Sequence, residues 1–306
     1  MNIIDAASKL NAGGAPVCVA IGVFDGVHLG HQRVLQWTMA QAARSGGVSV
    51  VVTFDKHPNS IVAPDKAPAL IYPLAKKLEV LASVGIQTTY VIPFDRAFSQ
   101  ISGERFVRDL ARDFGKIRSV CVGADFMFGH RRSGNVSLLK DLGGKLKFSV
   151  EEVSDFDLDG KPVSSTRIRE AVRAGDFDLA GRMLGRRYTL CGPVISGQQL
   201  GRKLGFPTAN IEIAGMVVPP TGVYAAEAKV DGESHRAAVN IGHRPTVKSN
   251  DPQLHVEAHM LDFNRDIVGK PLELAFLKKI RDERKFESVE ALKSQIAADV
   301  TQTRNA

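Results

Sequence analysis

Hydrophobic residues follow two different spacings along the chain, and the change between them falls near Arg186. In the first part, nearly continuous apolar runs alternate with helix-period stretches. Val48-Ser49-Val50-Val51-Val52-Thr53-Phe54 is mostly β-branched, the pattern of a strand covered on both faces. Similar runs predict strands at 17–24, 89–94, 119–123 and 148–153. Between them, helices are predicted at 31–44, 74–84, 104–114 and 136–142. Leu35, Met39 and Ala42 recur at steps of four and three, an amphipathic stripe. Alternation of this kind predicts a Rossmann-like α/β domain, with a parallel sheet and helices on both faces.

After Arg186 short strand-like pieces succeed one another without long helices, at 188–193, 208–213, 223–230, 235–240, 254–261 and 272–277. Asp231-Gly232, Pro219-Pro220 and Ser249-Asn250-Asp251-Pro252 read as the turns between them. A small antiparallel β-barrel or sandwich is expected. A closing helix is predicted at 288–300, with Leu292, Ile296 and Val300 on one face. The chain has 306 residues, and at roughly 150 per domain two domains are expected. The boundary is placed to give domains 1–186 and 187–306.

Composition narrows the class only a little. Hydrophobic residues make up 44% and charged residues 24%, which excludes a mainly disordered chain. The net charge of +7 suits anionic partners, whether nucleic acid or phosphorylated small molecules, and is equally that of a basic solvated surface. The densest charged stretch, Lys278-Lys279-Ile280-Arg281-Asp282-Glu283-Arg284-Lys285, mixes signs. Cys18, Cys121 and Cys191 are far apart, with no metal-ligand spacing. With no leader-like start and no long apolar run, a soluble protein of the reducing cytoplasm, without membrane contact, is expected.

The sharpest local feature is Gly22-Val23-Phe24-Asp25-Gly26-Val27-His28-Leu29-Gly30-His31, where the first strand gives way to the first helix. Open α/β sheets bind ligands at such places. Glycines let the backbone approach a polyanion, and a helix N-terminus presents N–H groups to it. His28 and His31 are one turn apart, so both can stabilise charge building on a phosphorus. An isolated His-x-x-His is also met as two exposed histidines at a helix start. Ser164-Ser165-Thr166-Arg167-Ile168-Arg169 offers hydroxyls and an arginine at another helix start, either a phosphate cradle or simply a cap.

In the second part, Thr208 and Asn210 lie two apart in Phe206-Pro207-Thr208-Ala209-Asn210, so a strand puts both oxygens on one face. Hard oxygen donors of this kind suit Mg²⁺ held together with phosphates. The preceding run, with Gly197, Gly201 and Gly205, can arch over a nucleotide or form a glycine-rich hairpin. In Leu254-His255-Val256-Glu257-Ala258-His259-Met260, period two puts His255, Glu257 and His259 on one face. That face is a polar outer surface, a metal site, or a place where Glu257 serves as general base.

Gly-x-Phe-Asp-Gly-x-His-x-Gly-His resembles the HxGH signature of the nucleotidylyltransferase superfamily, in which a Ser-Ser-Thr-x-Ile-Arg segment closes the nucleotide site. The Pro-Thr-Ala-Asn element with Gly222-Val223-Tyr224-Ala225, Asn240-Ile241-Gly242-His243-Arg244-Pro245-Thr246 and Glu257 resembles riboflavin kinase. Together they resemble the bacterial bifunctional riboflavin kinase/FAD synthetase family. The resemblance implies a transferase with two ATP-using reactions: riboflavin to FMN in the barrel, then FMN to FAD plus pyrophosphate in the α/β domain. It implies that His28 and His31 stabilise adenylyl transfer, while Gly22, Phe24, Asp25, Gly123, Asp125, Ser164, Thr166 and Arg169 bind ATP. Phe54, His57 and Pro58 fall on the flavin side, although His57 also reads as a loop histidine satisfied locally. In the kinase, Gly197, Gly201, Gly205 and Pro207 would bind ATP, Thr208 and Asn210 the Mg²⁺, and Glu257 would be the base. Two rivals are a different nucleotidylyltransferase fused to an unrelated barrel, and a nucleic-acid binder with an OB-like barrel. The first has no use for Pro-Thr-Ala-Asn and Glu257. The second needs stacking aromatics, whereas no clustered aromatic stripe is expected in a chain with 7% aromatic residues.

Overall fold

The computed structural model describes residues 1–197, 200–246 and 249–306, and the side chains of these except at 200, 244–246 and 249–253. Gln198 and Gln199, in the glycine-rich run, lie outside the described residues. The chain divides into two compact units: Met1–Leu70 with Leu74–Ser165, and Ile71–Pro73 with Thr166–Ala306.

In the first unit the elements run β1 (Asn2–Ile4), β2 (Val17–Ile21), α1 (Leu29–Ser45), β3 (Val48–Phe54), α2 (Asn59–Val62), α3 (Leu74–Val84), β4 (Thr88–Ile92), α4 (Gly103–Phe114), β5 (Ile117–Gly123), α5 (Val136–Leu146) and β6 (Ser149–Val153). A small hairpin of β7 (Asp157–Leu158) and β8 (Lys161–Pro162) follows. The main sheet has the order β1-β4-β3-β2-β5-β6, and every pairing in it is parallel. One face of the central strands presents Val17, Val19, Val50, Val52, Val120 and Val122 to Phe106, Leu110 and Phe114 of α4 and Leu139 and Leu142 of α5. α1 packs along β2, β3 and β5, with Val34, Leu35, Thr38 and Ala42 buried. The parallel α/β expectation therefore holds.

The helix α6 (Ser165–Ala174) begins in the first unit and continues in the second. There follow α7 (Phe177–Leu184), β9 (Thr189–Ile195), α8 (Leu200–Leu204), β10 (Ala209–Ile211), β11 (Gly222–Val230), β12 (Glu233–Thr246), β13 (Ser249–Met260), β14 (Pro271–Arg281) and α9 (Val289–Arg304). The six strands close into an antiparallel barrel in the order β10-β13-β12-β11-β14-β9. Its interior is apolar, with Leu190, Val194, Ile211, Val239, Val256, Leu272 and Leu274 at most 3% exposed.

Three local expectations change. Ser249-Asn250-Asp251-Pro252 is the start of β13, not a turn. The glycine-rich run holds one helical turn, α8, instead of a hairpin. Aromatics do cluster: Phe177 and Phe276 stack at 5.0 Å and Tyr188 lies parallel to both. Tyr188, Tyr224 and Phe276 are buried, so they form core, not an exposed stacking platform.

Candidate active sites

The strand order of the first unit reverses at β2, since the chain leaves it for β3 on one side and returns through β5 on the other. Ligands of open α/β sheets bind outside the carboxyl ends of the strands at such a switch point. The C-terminal ends of β3, β2 and β5 are adjacent there, and they carry Phe54, Gly22 and Gly123 in that order.

The turn after β2 is tight and strained. β2 stops at Ile21, short of the expected Phe24, because Phe24 (φ 50°) and Val27 (φ 42°) both turn left-handed. Such conformations cost roughly 1–3 kcal/mol each, and a β-branched residue there is an outlier. Burial holds them: Phe24 is 2% exposed and Val27 fully buried. Gln32 Nε2 donates to the Val27 carbonyl at 2.9 Å, and Ser165 Oγ donates to the Asp25 carbonyl at 3.0 Å.

His28 is the N-cap of α1, and its Nδ1 accepts the His31 N–H at 3.3 Å. With Nδ1 accepting, a neutral ring carries its proton on Nε2. The two imidazoles stack at 3.6 Å, and the Phe24 ring meets His31 edge-on at 5.2 Å. A Cβ on Gly30 would come within 3.2 Å of the His28 ring, so this glycine makes room for the histidine.

On the β5 side, a Cβ on Gly123 would meet nothing within 4 Å, and Asp125 is exposed in the following turn. On the β3 side, Phe54 packs edge-on against Phe94 at 5.3 Å. His57 Nδ1 accepts the Asn59 N–H at 3.1 Å, and Pro58 leads into α2. His57 thus has one ring nitrogen engaged within its own loop. Ser164, half-buried, belongs to the first unit. Thr166, exposed, and Arg169, buried, belong to the second.

Sequence reasoning passed over Lys77, the lysine among the buried residues of α3. Its ammonium donates to the Phe54 carbonyl at 2.8 Å, to Thr53 Oγ1 at 3.1 Å and to the Val23 carbonyl at 3.2 Å. Burial pushes its pKa down to about 8, against the opposing pull of Asp25 and Asp55. No sequence pattern marks it, because a lysine on an amphipathic helix reads as solvent-facing.

In the barrel, Asn210 and Glu257 are register partners across β10 and β13. Thr208, one residue ahead of β10, donates from its hydroxyl to Glu257 Oε2 at 3.5 Å. Val256, Ala258 and Met260 are buried, which leaves Glu257 and His259 on the outer face, as period two predicts. His259 Nδ1 donates to the Pro207 carbonyl at 2.7 Å. That bond ties the Pro-Thr-Ala-Asn segment to β13. Among the described residues no cluster of three or more His, Cys, Asp or Glu is fit for a metal.

Thr208, Asn210, Pro207, Gly197 and Arg202 line one cavity of about 260 Å³. A Cβ on Gly197 would land on the Asn210 amide, so only glycine admits that side chain here. Gly205 is left-handed (φ 91°) directly after α8, and Gly201 lies within that helix. The cavity thus brings together Gly197, Pro207, Thr208 and Asn210, with Glu257 bonded at its edge.

Comparison with known proteins finds two families along the chain. Residues 12–167 match the FAD synthetase family and residues 184–306 the riboflavin kinase family. A bifunctional riboflavin kinase/FMN adenylyltransferase of Pseudomonas fluorescens is 41% identical over 94% of this chain and 92% of its own length. Its Escherichia coli K12 counterpart is 37% identical over 98% and 96%. A crystal structure from Streptococcus pneumoniae described as a macrolide-efflux protein superposes with a TM-score of 0.82 at 28% identity, covering 99% of this chain and 98% of that one. Among the described residues no helix here is long and apolar enough to cross a membrane. By the near full-length likeness to its curated relatives, the chain belongs to the family of bifunctional riboflavin kinase/FMN adenylyltransferases.

Proposed function

We propose that the chain makes FAD from riboflavin in two ATP-dependent steps, with residues 187–306 acting as the kinase and residues 1–186 as the adenylyltransferase. The observation that carries the reading is the presence of two separate chemical constellations in one chain. A histidine pair stands at the start of a helix at the switch point of a parallel sheet, and a carboxylate is bonded to Thr208 on a barrel.

In the first step Glu257 takes the proton of the riboflavin 5′-hydroxyl. The resulting oxygen attacks the γ-phosphorus of ATP and ADP leaves, giving FMN. The hydroxyl of Thr208 and the amide oxygen of Asn210 are a hard-oxygen pair that fits Mg²⁺ and would hold it in the shared cavity. Mg²⁺, when bound, would draw off charge from the ATP phosphates. Gly197, Gly201, Gly205 and Pro207 line the nucleotide's approach.

In the second step a phosphate oxygen of FMN attacks the α-phosphorus of another ATP and pyrophosphate leaves. His28 and His31 donate to the charge that builds there. Gly22, Phe24, Asp25, Gly123 and Asp125 shape the nucleotide side, and Phe54, His57 and Pro58 the flavin side. Ser164, Thr166 and Arg169 are assigned to the triphosphate on the family resemblance. Cys18, Cys121 and Cys191 are all buried free thiols, which suits a reducing cytoplasmic setting.

Purified protein given riboflavin, ATP and Mg²⁺ should yield FMN and then FAD, resolved by chromatography. Formation of neither product would sink the reading.

A further inference from the structure

Lys77 is a buried titratable group to which neither proposed step gives a part. It is 6% exposed, and its side chain ends among oxygens from two different turns. Val23, one acceptor, lies in the turn that also carries Gly22, Phe24, Asp25 and His28. Phe54 and Thr53, the others, end β3, whose continuation carries His57 and Pro58. Thr53 Oγ1 itself donates to the Val23 carbonyl at 3.0 Å, which closes a small network. One side chain therefore ties the nucleotide-side turn to the flavin-side turn.

The chemistry of the ammonium matters to that tie. Charged lysine has three N–H donors, and three oxygens receive them here. Neutral lysine keeps only two donors and gains a lone pair, so one of the three contacts loses its N–H donor and the network must rearrange. A core position that needed only filling would take an apolar side chain without the desolvation penalty of a charge.

We propose that Lys77 is a positioning residue for adenylyl transfer, whose charged ammonium holds the two turns in the register that brings FMN to ATP. The role rests on the reading that the first unit joins FMN to ATP. The charged groups that face Lys77 are Asp25, from the turn after β2, and Asp55, just beyond β3, and both favour the ammonium. Burial outweighs them and leaves the proton leaving near pH 8. Adenylyl transfer should then decline as pH rises through about 8, while phosphorylation of riboflavin does not share that limb.

The test uses full-length Lys77→Met and Lys77→Arg, with both reactions assayed on the same preparations from pH 6.5 to about 9.5. For Lys77→Met, KM for both FMN and ATP should rise about tenfold or more in the adenylyl reaction. Its kinase kinetics should match wild type, and the alkaline limb near pH 8 should be absent. Lys77→Arg, which stays charged, should recover part of the loss and also lack the limb. A Met variant with wild-type KM values, or one that loses only kcat as a smaller folded fraction would, overturns the role. So does an Arg variant that keeps the wild-type limb. If wild type forms no FAD, the proposed reaction itself falls, a result distinct from a neutral Lys77 variant.

Discussion

Asn210 and Glu257 sit directly opposite each other across the β10–β13 ladder, and the Thr208 hydroxyl reaches the same carboxylate at 3.5 Å. The barrel thereby sets a candidate base beside two oxygen donors that belong to a single segment. Glu257→Ala should cut FMN formation by roughly 10²–10⁴-fold, the usual worth of a general base. Conversion of FMN to FAD by the same sample should be unaffected. Chromatography of both reactions checks this, and parallel loss of the two would argue against separate sites.

The histidine pair makes the reverse prediction. His28→Ala and His31→Ala should each lower FMN adenylylation by about 10²–10³-fold, as removal of a transition-state donor does. Riboflavin phosphorylation should remain at the wild-type rate in both. The pair should differ in stability, because the His28 ring caps α1 by accepting the His31 N–H. Loss of a cap costs about 1 kcal/mol, so urea unfolding should show His28→Ala as the less stable variant.

Much of this arrangement is legible in the chain, and the parts that are not have physical reasons. β3 and α3 end where periodicity puts them, at Val48–Phe54 and Leu74–Val84, because a long unmixed pattern leaves few alternatives. β2 is read three residues too long, since Phe24 is apolar enough to look like strand while its backbone turns left-handed. β1 is three residues with no period to detect. The apolar stripe expected on the closing helix is only half-buried, and its most buried positions are the polar Asp299 and Thr303. Motif residues such as His28 and Thr208 announce themselves by type and spacing. The pairing of Asn210 with Glu257 and the burial of Lys77 do not, because barrel closure and distant carbonyls create them.

Helix α9 is fastened by a charge pair that sequence periodicity overlooks. Asp299, 3% exposed, accepts from Arg281 Nε at 3.0 Å and Nη2 at 2.8 Å, and from Gln295 at 2.8 Å. Breaking a buried pair by removing one partner typically costs about 3–5 kcal/mol. Asp299→Ala should therefore lose riboflavin kinase activity on heating at a lower temperature than wild type. The temperature at which FMN adenylylation is lost should move less. Residual activities after timed heating measure both, and an unchanged kinase profile would remove α9's anchoring role.

Lys77 gives stability and activity opposite responses to pH. Its pKa is about 8 in the folded chain against an ordinary 10.5. Below pH 8 both folded and unfolded chains carry the charge, and the cost of burying it is present in full. Between about 8 and 10.5 the unfolded chain holds a proton that the folded chain has released, so stability rises with pH. The whole gap corresponds to on the order of 3 kcal/mol. Measured against Lys77→Met to cancel the other titrating groups, the urea midpoint of wild type should climb from pH 8 to pH 10. FAD formation should fall over the same interval, since the tie between the Val23 and Phe54 turns loosens as the proton leaves. A wild-type-minus-variant difference that stays flat across that interval would mean the ammonium is not buried as described. A fall in stability alongside activity would mean that ordinary unfolding, not loss of positioning, governs the alkaline limb.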